Sequence, residues 1–281
     1  MRHPARRRPP SGGARTRLPH YLVGICLAAA TVMALDARMA SWEVVAHGRT
    51  PADAGAATRP ADPPEPPPGL RRSSAELPPG EPFPQRGTGT WRTVPGTTRT
   101  VGTGTVRTYA VEVEAGVALP QGDDAFAARV GHALAHPRGW TSGGRFAFRR
   151  VDREEPDFRV RLAAQETARA LCGFELPYDT SCRVGATVYV SAARWFRGAY
   201  AFGDDLRGYQ AYAVNHEVGH FLGFGHEPCP EDGGPAPVMM QQTLSTGNDE
   251  LATIIAGSDQ GIAVAPDGKW CTPNPWPDPP R

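Results

Sequence analysis

Three histidines and a glutamate fall within residues 216–226, which read HEVGHFLGFGH. His216 and His220 are four residues apart, so on a helix they share one face and both imidazoles can bind the same metal ion. Glu217 follows the first histidine and points beside such an ion rather than at it. A general base for an activated water stands in that position. The spacing therefore predicts a metal-dependent hydrolytic centre.

A third histidine completes this candidate centre after a break in the helix. Gly223 accepts a positive φ, so we expect it to end the helix and turn the chain back. That turn brings His226 towards the other two imidazoles. Three neutral imidazoles leave the fourth position of a tetrahedral Zn²⁺ open for water, which distinguishes catalytic from structural zinc sites. We therefore predict one catalytic Zn²⁺ held by His216, His220 and His226.

The pattern H-E-x-x-H-x-x-G-x-x-H resembles the extended motif of the metzincin zinc endopeptidases, which a methionine turn follows. Residues 237–240 read PVMM and are the candidate for that turn. The resemblance implies that Met239 forms a hydrophobic floor under the zinc ligands. Met240 is the alternative, and adjacent methionines also serve as simple core filling. The implied fold is an α+β metzincin-like domain, with a mixed sheet packed on the active-site helix.

A narrower resemblance links about residues 86–281 to an uncharacterised family of secreted bacterial metzincin-like domains. In that family the zinc motif runs into His-x-x-Cys-Pro, then Pro-Val-Met-x-Gln-Gln-Thr, then a final cysteine. Here these elements are residues 226–230, residues 237–243 and Cys271. The family carries no established substrate that could be transferred to this chain.

Two features of this chain differ from the families that it resembles. Metzincins often place a tyrosine just after the methionine turn, where it supports the transition state, whereas Gln241 and Gln242 stand there in this chain. Oxyanion stabilisation would then fall to zinc or to a group not yet identified. Residues 245–268 also look longer than the usual connection, and they either reshape the cleft or form a mobile loop.

The chemistry that these residues predict is hydrolysis of a peptide or protein substrate. Zn²⁺ would polarise a water and the scissile carbonyl, while Glu217 would take the proton of the water and pass it to the leaving amine. Two other classes stay open: an amidase of cell-wall cross-bridge peptides, and a non-catalytic, zinc-stabilised surface module. A purely structural site needs no base, so Glu217 favours the enzymes.

The N-terminal part has the pattern of an export signal. Residues 1–20 contain six arginines and no acidic residue, and residues 21–35 are apolar without a charge. We expect 1–20 to stay in the cytoplasm and 21–45 to be either an uncleaved signal anchor or a cleaved signal peptide, with the anchor preferred. The rest of the chain would be extracytoplasmic, attached to the membrane or secreted.

Charge and composition exclude other roles. Acidic residues outnumber basic ones outside the N-terminal segment, and no basic patch with interleaved aromatic residues occurs, so we expect no nucleic-acid partner. Residues 46–85 are rich in proline, which predicts an extended, disordered linker. The remaining residues, 86–281, are long enough for one sizeable core and should form the catalytic domain, which we expect to be a monomer.

Four cysteines lie outside the N-terminal segment, and an even number in an exported domain suggests two disulfides. Three pairings are possible. We favour Cys172 with Cys182, which closes a short loop, and Cys229 with Cys271, which ties back the C-terminal tail; the family resemblance supports this choice. A cysteine zinc site is disfavoured because no C-x-x-C occurs.

Hydropathy alternation and capping residues predict the elements that position the site. Residues 87–104 are rich in glycine and threonine and read as a loop. Asp123 and Asp124 are candidate caps for the first helix, and Asp204 and Asp205 for the active-site helix. The predicted elements are strands at 105–117, 145–151, 158–163 and about 186–191, and helices at 125–136 and about 206–222.

Overall fold

The computed structural model describes residues 73–173, 176–258 and 262–279. The predicted cytoplasmic segment 1–20, the signal segment 21–45 and the first part of the proline-rich linker lie outside the described residues. Within the described ranges, no helix combines the length and the apolar character needed to cross a bilayer.

Seven strands of the described chain form one mixed sheet in the order β2-β4-β3-β5-β7-β6, with β1 paired to β3 beside this path. The central pairs β4–β3, β3–β5 and β5–β7 are parallel, whereas β1–β3, β2–β4 and β6–β7 are antiparallel. The last strand, β6, is therefore an edge. The strands are β1 Trp91–Thr93, β2 Val101–Gly102, β3 Thr105–Glu114, β4 Phe146–Arg150, β5 Phe158–Ala163, β6 Cys182–Val184 and β7 Thr187–Ser191.

Five α-helices of the described chain accompany the sheet, so the domain is α+β as the sequence predicts. The main core lies between the sheet and helices α1 and α4, where apolar side chains of β3, β5 and β7 are fully buried. The helices are α1 Asp123–Ala135, α2 Gln165–Cys172, α3 Ala192–Arg197, α4 Leu206–Phe221 and α5 Asn248–Ile255, with a 3-10 turn at Tyr200–Phe202.

Helix α4, which carries the histidine motif, begins where its sequence predicts. The side chain of Asp205 accepts a hydrogen bond from the backbone N–H of Gly208 at 2.8 Å, satisfying one of the donors that a helix leaves free at its first turn. Helix α1 differs from its prediction, because Asp123 lies inside the helix and forms an ion pair with Arg92 instead of capping.

The glycine- and threonine-rich stretch 87–104 departs from its predicted loop. Two short strands, β1 and β2, form within it because neighbouring strands complete their hydrogen bonds: Trp91–Thr93 pairs with β3, and Val101–Gly102 pairs with β4. Local propensity is weak in such short segments, so the sheet decides their conformation.

Residues 73–85, which the sequence assigns to the linker, pack on the domain. Ala75 is fully buried, and its carbonyl accepts a hydrogen bond from the equally buried guanidinium of Arg194. The same guanidinium binds the carbonyl of Glu76. Ser74 hydrogen-bonds the carbonyl of Leu244 and the carboxylate of Glu250. The folded unit therefore includes a short N-terminal strap, residues 73–76, ahead of the predicted boundary.

Two disulfides form with the favoured pairing. Cys172 bonds to Cys182 and Cys229 bonds to Cys271, with Cα–Cα distances of 5.5 and 5.7 Å. The first joins the end of α2 to the edge strand β6, and the second ties the C-terminal tail to the chain that follows the histidine motif. Disulfides persist in oxidising compartments, so the pair indicates an extracytoplasmic location.

The segment 245–268 contains helix α5. Leu251 and Ile255 of this helix pack in one buried cluster with Met240 and the second disulfide. The buried Asn248 exchanges hydrogen bonds with the backbone of Cys229. The described part of this segment is thus integrated into the domain. It packs against the chain that follows the histidine motif.

Candidate functional site

Helix α4 places three of the predicted site residues on its last two turns. His216 and Glu217 are buried and His220 is half-buried. The helix packs on α1 and β7, so its central turns have a fixed position in the core. This packing sets the direction of the imidazoles before any ligand arrives, which favours a preorganised site.

The chain turns back immediately after the helix. Gly223 has a φ of 95°, in the left-handed region that glycine adopts at little cost, and the N–H of Phe224 bonds the carbonyl of Gly219. The turn brings His226 to the helix, where its Nε2 lies 3.0 Å from Nε2 of His220. The ligand atoms of His216, His220 and His226 all lie within 4.8 Å of one another.

Backbone carbonyls orient two of the three rings. Nδ1 of His216 lies 2.9 Å from the carbonyl oxygen of Val238, and Nδ1 of His220 lies 2.9 Å from that of Phe224. When each Nδ1 carries the proton and donates it to its carbonyl, the lone pair of each Nε2 is left for a metal ion. Metal-binding histidines are typically held in this way. The cluster could therefore hold a metal ion.

The environment keeps these imidazoles neutral. Burial, reinforced by the neighbouring His220 and His226, lowers the pKa of His216 well below its ordinary value. Burial and His226 lower the pKa of His220 to about 4. A metal ion requires neutral imidazoles, so these shifts suit metal binding at neutral pH.

Glu217 lies buried beside the histidine cluster. Burial raises the pKa of its carboxyl to about 8, although the positive charge of Arg183 lowers it in part. Its Oε2 is buried without a hydrogen-bond partner. A buried carboxylate oxygen without a partner is costly, and a divalent cation on the adjacent imidazoles would stabilise it. The residues present thus fit a bound Zn²⁺.

The two methionines of residues 237–240 have different surroundings. Met239 is buried against α4, together with Tyr209 and Tyr212. Met240 belongs to the cluster of the second disulfide. The N–H of Met240 bonds the carbonyl of Pro237 at 2.9 Å, which closes a tight turn. Met239, the methionine preferred from the sequence, is the one that lies beside the histidine-bearing turns.

The glutamines that follow have separate positions. Gln241 lines the cleft beside the histidines. Gln242 is fully buried and forms a reciprocal amide pair with Asn274, through Nε2 to the carbonyl of Asn274 and Oε1 to its N–H. Its N–H donates to the hydroxyl of Tyr212, which in turn donates to the carbonyl of Met240. Gln242 therefore holds the C-terminal tail to the turn.

A cleft of about 270 Å³ opens over the histidines and Glu217. Its lining also includes the first disulfide, residues 180–181 and Arg183 of β6, together with Gln241, Thr243 and Leu244. None of the described residues of 245–268 lines this cleft. The sequence did not single out Arg183, and its only signal there is a position next to Cys182, which the disulfide fixes at the rim.

Fold and site together define an α+β, disulfide-bonded domain with a three-histidine cluster and a buried glutamate at the floor of a cleft. The chain belongs to the family described as "Protein of unknown function (DUF3152)", whose model matches residues 77–279. No curated protein and no solved structure matches the chain. The match begins close to the strap, ahead of the boundary at residue 86 that the sequence indicates.

Proposed function

We propose that this domain is an extracytoplasmic, metzincin-like zinc endopeptidase. The observation that supports it most strongly is the convergence of three imidazoles on one point with a buried glutamate next to the first of them. A site that served only to stabilise the fold would have no use for an unsatisfied buried acid at its floor. The histidine cluster lies in an open cleft, where a substrate chain could reach it.

His216, His220 and His226 would hold the ion, the first two through Nε2. Bound Zn²⁺ would supply a Lewis acid for a water and for the scissile carbonyl. Glu217 would take a proton at its carboxylate from the attacking water and deliver it to the leaving nitrogen. The carbonyls of Val238 and Phe224 would keep the two helix imidazoles in their neutral, ligating tautomer.

Met239 and the turn at residues 237–240 would hold the histidine-bearing part of α4 in place. The turn presents the Val238 carbonyl to His216 and buries the Met239 side chain against α4, so a displacement of the turn would move a ligand. The disulfide-bonded domain would act outside the cytoplasm. The N-terminal residues would bring it to the membrane as an anchor or export it.

A peptide-library experiment tests this function. Zinc-loaded protein of residues 73–281 is incubated with a mixed library of peptides derived from whole-cell protein, and new termini are mapped by mass spectrometry. We expect cuts within chains, lost on chelation and restored by zinc. Stoichiometric zinc without any new terminus would contradict the proposal and favour a binding module.

A further inference from the structure

The cleft has an uneven distribution of charge. Apart from the histidines and the phenol of Tyr212, the ionisable side chains among its described lining residues are those of Glu217 and Arg183. The other lining groups are hydroxyls, an amide and apolar side chains, such as those of Thr243 and Leu244. Arg183 is therefore the group in this described lining that best suits a negatively charged substrate group.

Arg183 has no carboxylate partner among the described residues, although many other arginines of the domain do. Arg183 is exposed, and its Nη1 donates a long hydrogen bond of 3.3 Å to the carbonyl of Gly185. By contrast, Arg161 and Arg169 hold carboxylates at 2.6 and 2.7 Å. The Arg183 fork thus keeps donors available for an anion from outside.

The backbone that carries Arg183 is held on both sides. β6 pairs with β7 through Cys182 and Tyr189 on one side of Arg183 and Val184 and Thr187 on the other. The disulfide pins the preceding residue to α2. The backbone at Arg183 therefore has a fixed position. A side chain that selects among substrates needs such a fixed starting point.

Arg183 also lies close enough to act on the reacting groups. Arg183 lines the same cleft as Glu217 and His220, and its positive charge acts on both of them. The two affected residues flank the point where a scissile bond would lie. A group bound by Arg183 would therefore belong to a residue next to that bond.

We propose that Arg183 is a specificity-determining residue that binds a carboxylate of the substrate within two residues of the scissile bond. This inference rests on the proposed peptidase function and narrows its substrate class to acidic peptides. Guanidinium and carboxylate match in shape and charge, and two parallel N–H···O bonds fix the orientation of the bound group. The carboxylate can come from an Asp or Glu side chain or from a chain end.

The test uses matched peptides with zinc-loaded protein of residues 73–281. One pair carries Asp or Asn beside the cleavage site, and a second pair ends two residues after it in a free carboxylate or an amide. Wild type, Arg183→Gln and the control Arg207→Gln are compared. Arg207 is exposed at the start of α4 and lines a different groove, so its replacement removes the same charge elsewhere.

We expect wild type and Arg207→Gln to prefer one of the carboxylate peptides by about tenfold or more in kcat/KM, and Arg183→Gln to lose this preference while it still cleaves the neutral peptide. The pair that responds identifies the source of the carboxylate. Equal cleavage within both pairs by wild type, or a preference that survives in Arg183→Gln, would overturn the proposal.

A binding measurement separates this inference from the function on which it rests. The Kd of the same peptides is measured with zinc-loaded Glu217→Gln, with and without Arg183→Gln. Tighter binding of a carboxylate peptide that depends on Arg183 supports the contact even if wild type cleaves nothing, which would overturn only the peptidase. Binding that is indifferent to the carboxylate overturns the role of Arg183.

Discussion

Met239 packs directly against the bare backbone of Gly219, one residue before His220. A Cβ on Gly219 would lie 2.3 Å from Sδ of Met239 and 2.7 Å from the ring of Trp140. No real Cβ approaches a neighbour so closely, so the absence of a side chain at this position lets the methionine reach the helix between two histidines. The turn and the helix are therefore fitted to each other at the site.

This fit predicts the effect of adding one methyl group. Gly219→Ala should destabilise the domain by about 1–3 kcal/mol and weaken zinc binding, because Met239 and Trp140 must both move. Gly131→Ala in α1 is the control, since its new Cβ would lie 3.6 Å from the Tyr109 hydroxyl and helix propensity favours alanine by up to about 1 kcal/mol. Urea denaturation and zinc titration measure both effects. A Gly219→Ala protein as stable as wild type would contradict the packing.

The metal-free domain should lose stability as the pH falls from about 6.5 to about 4. Burial and His226 lower the pKa of His220 to about 4, so the unfolded chain binds a proton in that window while the folded chain does not. The free energy of unfolding is measured against pH in the presence of chelator. His220→Gln should reduce this dependence without abolishing it, because burial also lowers the pKa of His216. The same slope in both proteins would refute this origin.

The two disulfides should differ in what their removal costs. Cys229–Cys271 spans 42 residues and Cys172–Cys182 spans 10, which by loop entropy corresponds to about 4 and about 3 kcal/mol. Cys172 and Cys182 line the cleft, so replacing both by serine should also raise KM. Replacement of Cys229 and Cys271 should mainly lower stability. Equal KM values for the first variant and wild type would show that the loop is not part of substrate binding.

The N-terminal strap should be required for full stability. A chain that begins at residue 86 lacks the carbonyls of Ala75 and Glu76 and leaves the buried guanidinium of Arg194 with fewer acceptors. We expect it to be about 3 kcal/mol less stable than residues 73–281. The truncation should cost less in an Arg194→Met background, where no charge is left unsatisfied. An equal cost in both backgrounds would assign the effect to other contacts of the strap.

Local chemistry made part of this structure predictable. The helix α4 follows from its cap at Asp205 and its motif, and β5 follows from the alternation of FRVRLA; both depend on neighbouring residues in sequence. The helix and the strand need little knowledge of what packs against them. The pairing of the four cysteines also followed the expectation, for which the family resemblance was part of the support.

Features decided by distant partners were not predictable. The strands β1 and β2 exist because β3 and β4 complete their hydrogen bonds, and the strap is ordered because Arg194, more than 100 residues away, needs acceptors. Arg183 reached the cleft through the position of an edge strand rather than through a motif. These contacts join residues that are far apart in sequence, so no short stretch of the sequence predicts them.

One measurement tests the central claim most directly: zinc content and peptide cleavage of wild type and Glu217→Gln, side by side, with a peptide found in the library. In the proposed mechanism the three histidines would hold the ion and Glu217 would move the proton, so both proteins should bind one zinc per chain while the variant loses about 10²-fold or more in kcat. A Glu217→Gln protein that cleaves at the wild-type rate, or a wild type that binds no zinc, would contradict the account.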